Sequence, residues 1–146
     1  MQAMIFAAGL GTRLKPLTDT MPKALVRVGD APLLEHVIRR LTEAGCNRMV
    51  VNVHHFADQI KCYLKTHDYG VEIHVSDESE QLLDTGGGIK RAASLFDGHR
   101  PVLIHNVDIL SNVDLAAFYQ HALGEKADAL LLVSRRVTQR YLVFDK

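Results

Sequence analysis

Apolar positions follow two alternating periods along the chain. Residues 3–7 form a short unbroken apolar run closed by Gly9, the pattern of a strand buried on both faces. From Pro32 onward, Leu33, Leu34, Val37, Ile38, Leu41 and Ala44 recur at spacings of three and four. With Pro32 at the first turn and Gly45 just past the end, this predicts an amphipathic helix. Residues 49–53 predict a second buried strand, and residues 55–67 a second helix with Phe56, Ile60 and Leu64 on one face. Alternation over 71–75 predicts a third strand, followed by a polar loop over 76–81. Helices over 89–96 and 113–122 flank a strand over 101–105, and a fifth strand is expected over 129–133. Residues 141–146 read as a strand cut off before a closing turn. Residues 8–24, rich in Gly, Thr and Pro, carry no helical period, and 25–28 read as a brief extended piece. Strand and helix thus alternate with short connections, which implies βαβ units and an α/β fold with a parallel sheet covered on both faces.

Composition bounds this picture. At 146 residues and 16.3 kDa, with 47% hydrophobic and 23% charged residues, the chain is one domain's worth. A chain of this size buries roughly 70% of the surface it exposes when unfolded, enough for a core without disulfides or a structural metal. Seventeen Lys and Arg balance 17 Asp and Glu, and the pI is near 7.1. No global basic field is present to hold a nucleic acid or an anionic membrane, so a bound anion must meet a local cluster. Cys46 and Cys62 form no CxxC pair and are expected to be reduced, core-type thiols. No basic leader and no apolar run of about 18 residues occurs, which points to a cytoplasmic protein.

Ligands of open parallel sheets sit outside the carboxyl ends of the strands. Three unusual segments are predicted at such ends. The first is Gly9-Leu-Gly-Thr-Arg-Leu-Lys-Pro-Leu-Thr-Asp-Thr-Met-Pro-Lys23. Gly9 and Gly11 permit tight turns whose amides can face phosphate oxygens, and Arg13 adds a planar fork of donors. Taken singly, the glycines equally suit a strand-to-loop turn, and Arg13 a solvated charge. A dinucleotide fingerprint would need glycine where Leu14 stands, and GxxxxGK[ST] occurs nowhere. The second segment, Asp84-Thr-Gly-Gly-Gly88, equally suits a glycine-rich loop capping the next helix. The third, Asn106-Val-Asp108, puts a carboxylate where a hard Mg²⁺ ion beside phosphates would be held, although an Asp after a strand is commonly a helix cap. Ser111 and Asn112 are further candidates for that cap. Eight histidines occur, with no zinc-site spacing.

The 15-residue glycine string resembles the signature of the sugar-phosphate nucleotidyltransferases, the pyrophosphorylases that make nucleotide sugars. The resemblance implies a Rossmann-like three-layer sandwich with a mostly parallel sheet. Ala8, Gly9, Gly11 and Thr12 would wrap a nucleoside triphosphate through their backbone, Arg13 would hold the departing β and γ phosphates, and Lys23 would contact the α-phosphate and the sugar phosphate. Leu83-Asp-Thr-Gly-Gly-Gly-Ile89 resembles the variant of the branch acting on hexose or N-acetylmuramate 1-phosphates. By that resemblance Thr85, Gly86 and Gly87 would lie against the nucleobase, with Glu78 contacting its edge. Asp108 would be the Mg²⁺ ligand, although Val107 stands where the family usually has glycine.

The resemblance further implies a sugar 1-phosphate and a triphosphate, UTP favoured, as partners, with room for a homo-oligomer and no role for nucleic acid or membrane. Such chemistry needs no protein nucleophile, because the sugar phosphate oxygen attacks directly. Mannose-1-phosphate guanylyltransfer and phosphocholine cytidylyltransfer are alternatives. A rival from another class is a nucleotide-binding or regulatory module without turnover. Members of the family are longer, and their later part supplies a second metal-binding aspartate, to which Asp145 does not correspond, and most of the sugar pocket. Residues 1–146 are therefore expected to be the N-terminal, nucleotide-binding portion, lacking a C-terminal sugar-binding part.

Overall fold

The computed structural model describes residues 1–134 and Val137. Four strands, β1 (Gln2–Phe6), β4 (Arg48–Val53), β5 (Glu72–Asp77) and β6 (Val102–Asn106), form one sheet in the order β5-β4-β1-β6. All three pairings are parallel, with Phe6 opposite both Asn52 and Asn106, and Asn52 opposite Ser76. The carboxyl ends of all four strands therefore share one edge. A small antiparallel pair, β2 (Arg27–Val28) and β3 (Ala31–Pro32), precedes the first helix. The helices are α1 (Leu33–Glu43), α2 (Ala57–Lys65), α3 (Asp84–Ala92) and α4 (Leu115–Gly124).

Side-chain alternation along the strands divides the core between two faces. Ala3, Ile5 and Ala7 of the first strand segment join Met49, Val51 and Val53 under Leu34, Ile38 and Leu41 of α1, Ile60 of α2 and Tyr119 of α4. Met4 and Val50 face the other way, against Ala92 of α3 with Phe6, Leu95 and Phe96 around them. The period of three and four read in α1 is the buried stripe itself, since Leu34, Val37, Ile38 and Leu41 are all buried. Gln2, polar yet fully buried, is accounted for by three hydrogen bonds to the 97–100 turn. Its Nε2 donates to the carbonyls of Asp97 and Arg100 at 2.8 and 2.9 Å, and its Oε1 accepts the Asp97 amide at 2.9 Å.

Several expectations are corrected. Residues 129–133 form no strand and run exposed, apart from half-buried Leu130. Among the described residues nothing pairs with the outer edge of β6, and a β-rich sequence becomes a strand only through ladder hydrogen bonds to a neighbour. The helix expected over 89–96 instead begins at Asp84 and ends at Ala92, followed by a tight turn over Ala93–Leu95. The glycine triplet is thus helical rather than a capping loop. The cap of α4 is neither Ser111 nor Asn112 but Asp114, whose carboxylate accepts the Ala117 amide at 2.9 Å. Cys46 is buried, and burial pushes its thiol pKa up, whereas Cys62 lies exposed on α2, so only one of the two thiols is core-type. Residues 141–146 lie outside the described residues.

Candidate functional site

Because the sheet is parallel, the segments following β1, β5 and β6 all emerge at one edge. The segment after β1 folds into three short 3-10 turns, Thr12–Leu14, Leu17–Asp19 and Lys23–Leu25. Gly11 organises it. Its φ of 66° is left-handed, and a Cβ there would lie 2.9 Å from Thr18 Cγ2 and 3.1 Å from Lys23 Cβ. Only glycine meets both demands. The Gly11 carbonyl accepts the Leu14 amide and the buried Thr18 hydroxyl, each at 2.9 Å, which closes the loop on itself. The result is an open cavity of about 350 Å³ lined by Gly9, Gly11, Thr12, Arg13, Lys23 and, from the segment before α3, Leu82.

Lys23 and Asp108, 85 positions apart, meet here as an ion pair with side chains 18% and 35% exposed. The Lys23 ammonium, with a weaker pull from Arg13, holds the Asp108 carboxyl below the usual carboxylate range. Asp108 is placed by its neighbours. Val107 donates its amide to the Phe6 carbonyl at 3.1 Å and buries its side chain in the core, while Arg40 of α1 pins the following loop through Ser111 Oγ and the Val113 carbonyl at 3.1 and 2.7 Å. A valine before the aspartate is thus a core anchor. His105, in β6 three residues before Asp108, is buried with its ring nitrogen on the Asn106 carbonyl, and burial lowers its pKa.

Of the residues singled out in the sequence, Gly9, Gly11, Thr12, Arg13 and Lys23 line the cavity, Asp108 joins them through its ion pair with Lys23, and Ala8, next to Gly9, is buried. Thr85, Gly86 and Gly87 do not line it; they occupy the first turn of α3, just beyond Leu82. Glu78 is not available to a base edge. It is 1% exposed, and its two carboxylate oxygens are taken up by Asn52 Nδ2 at 2.9 Å and the Leu83 amide at 3.2 Å. A Cβ on Gly88 would meet Glu78 Oε1 at 2.9 Å and Asn52 Nδ2 at 3.2 Å. Asn52 and Gly88 were not legible as site residues, because their role depends on the approach of α3 to the end of β4. Asp84 enters α3 with a left-handed φ of 55°, a strained conformation of the kind that gathers at ligand sites. Among the described residues no group of three His, Cys, Asp or Glu side chains could hold a metal. No helix among them is long and apolar enough to cross a membrane.

The family model described as nucleotidyl transferase matches residues 2–141. An N-acetylmuramate alpha-1-phosphate uridylyltransferase of Caulobacter vibrioides is 47% identical over 109 residues, covering 73% of this chain and 45% of its own. A mannose-1-phosphate guanyltransferase of Pichia angusta is 31% identical over 138 residues, covering 92% of this chain and 38% of its own. Among solved structures, HddC from Yersinia pseudotuberculosis complexed with GMP-PN superposes with a TM-score of 0.74 at 27% identity, over 84% of this chain and 54% of that one. The chain spans about half the length, or less, of these relatives. Its parallel sheet, the cavity at the sheet's carboxyl edge and a match running through nearly all of its length make it a member of the nucleotidyl transferase family.

Proposed function

We propose that residues 1–146 form the nucleotide-binding portion of a sugar-1-phosphate nucleotidyltransferase. The sugar phosphate oxygen forms a new bond to the α-phosphorus of a nucleoside triphosphate. The bond from that phosphorus to the β-phosphate bridging oxygen breaks, and pyrophosphate leaves with the electron pair. The single observation that carries this reading is the meeting of Lys23 and Asp108, from segments after two neighbouring strands, beside the Gly9–Arg13 loop. Amide-rich loops and fixed cations at such an edge bind and position phosphate groups, and transfer of this kind rests on positioning and charge neutralisation. In this reading Arg13 neutralises the departing β and γ phosphates and Lys23 binds the α-phosphate. Ala8, Gly9, Gly11 and Thr12 bind through backbone amides, and Thr85, Gly86 and Gly87 lie near the base.

Asp108 suits Mg²⁺, which takes one or two carboxylates together with substrate phosphates and keeps several waters. When bound there, the ion supplies charge neutralisation at the phosphates. UTP and N-acetylmuramate or a hexose 1-phosphate are the favoured substrates, supported by the name of the 47% identical relative. A reducing, cytoplasmic setting belongs to the same reading, supported by two unpaired thiols.

The test is to incubate the chain with Mg²⁺, UTP or GTP and a panel of sugar 1-phosphates, and to follow pyrophosphate release. Release with at least one pair, reduced about 10²-fold or more in Arg13→Ala, is expected. Triphosphate binding without release from any pair would replace the reading with that of a binding module.

A further inference from the structure

A buried carboxamide ties the two glycine-bearing segments together. Asn52 lies near the end of β4, between Phe6 of β1 and Ser76 of β5 in the sheet register. It is 1% exposed. Its Oδ1 accepts the amide of Ala7 at 2.8 Å, where the chain leaves β1 for the phosphate loop. Its Nδ2 donates to Glu78 Oε1 at 2.9 Å, and Glu78 Oε2 accepts the amide of Leu83, the residue before α3, at 3.2 Å. The Glu78 backbone is held as firmly, its amide donating to the Val53 carbonyl at 2.7 Å and its carbonyl 2.6 Å from His54 Nδ1. Three hydrogen bonds thus run in series from Ala7 through Asn52 and Glu78 to Leu83. Every donor and acceptor in the series is directional, and a buried carboxylate strongly resists losing its partners. An apolar residue at position 52 would fill the same space at lower desolvation cost but would connect nothing.

We infer, on the nucleotide-binding reading given above, that Asn52 is a positioning residue. It fixes the separation of the loop that begins at Ala8 from the glycine triplet of α3, so that the phosphates and the base of one nucleotide are gripped together. Asn52 itself touches no ligand. A ligand spanning both segments depends on this link, whereas one confined to the phosphate loop does not.

The experiment uses the whole chain with Mg²⁺ and calorimetric titration of two probes: inorganic tripolyphosphate, and the tightest-binding of UTP, GTP and CTP. In Asn52→Asp the donor to Glu78 is lost and two carboxylates face each other. Adding Glu78→Gln returns a donor to the pair with that one bond reversed, and leaves acceptors for both backbone amides. The single variant is expected to weaken nucleotide binding about tenfold or more, with tripolyphosphate affinity within about threefold of the parent and nucleotide affinity restored in the exchange variant. Nucleotide affinity within twofold of the parent in folded Asn52→Asp would overturn the inference. So would parallel weakening of both probes, or an exchange variant that regains thermal stability without affinity. Where the single variant does not fold, the exchange variant alone decides, by restoring both or failing to. If the parent binds no nucleoside triphosphate, the nucleotide reading itself fails. The link is then read from amide exchange in Asn52→Ala, which should rise at both Ala7 and Leu83; a rise at one or neither would refute it.

Discussion

Glycines at 86 and 88 lie two residues apart in α3, and the structure predicts opposite responses to an added methyl group. At Gly86 a Cβ would have nothing within 4 Å. Replacing glycine by alanine in a helix then gains about 0.5–1 kcal/mol, mainly by restricting the unfolded chain. At Gly88 the same Cβ would lie 2.9 Å from Glu78 Oε1, 3.2 Å from Asn52 Nδ2 and 3.4 Å from Phe6 Cε1. These neighbours cannot retreat cheaply, because both polar groups are buried and hydrogen-bonded. Overpacking of this kind costs about 1–3 kcal/mol. Set against the helical gain, Gly88→Ala should lose up to about 2.5 kcal/mol and fall below Gly86→Ala by about 1–3 kcal/mol. Urea unfolding at 25 °C measures both, and an unchanged dependence on urea concentration would show that the native states remain comparable. Gly88→Ala as stable as Gly86→Ala would refute the tight packing of α3 against Asn52 and Glu78.

Three further substitutions test the electrostatics and the polar core. Asp77 is held at a pKa of about 2, below its ordinary 3.8, first by the Lys61 ammonium at 2.6 Å and then by Ser79. Its contribution to stability is therefore complete above pH 3.8 and lost as pH falls from 3.8 toward 2. With the Asp77 side chain 42% exposed, that contribution is about 0.5–1 kcal/mol. Lys61→Met should raise the Asp77 pKa toward 3.8 in a carboxyl NMR titration, and an unmoved value would contradict the assignment. In the polar core, Gln2→Leu breaks three hydrogen bonds and should cost about 2–3 kcal/mol. Ser76→Ala removes a buried hydroxyl without a hydrogen-bond partner and should change stability by less than about 0.5 kcal/mol. Urea unfolding of the two variants checks the contrast, and equal losses would contradict it.

What could be read from the sequence was set by how local each cause is. The apolar stripe of α1 and the short apolar runs in β1 and β4 carry their own burial, so the α/β alternation was legible. The start of α3 was not, because its first turns hold three glycines and no apolar stripe, and their helical state depends on packing over Asn52 and Glu78. Glu78 sits in a polar stretch that reads as a solvated loop. Its burial comes from β4 and α3, 26 positions back and a few residues ahead. The pairing of Lys23 with Asp108 follows from strand order rather than from spacing; the parallel-sheet rule brought their two segments to one edge, and the resemblance of the glycine string gave the two residues their roles. The expected fifth strand shows the converse limit: a strongly β-forming run such as Leu130-Leu-Leu-Val133 still requires a neighbouring edge to pair with.

The central claim is that a nucleoside triphosphate binds at the carboxyl edge of the sheet between the phosphate loop and α3. The most direct measurement is an amide NMR titration of the isotope-labelled chain with Mg²⁺ and UTP. The account predicts the largest shifts at Gly9, Gly11, Thr12, Arg13 and Lys23 and at residues 84–88, with the α2–β5 surface around Lys61 and Asp77 unmoved. Absence of shifts at saturating UTP, or shifts centred on that second surface, would contradict it.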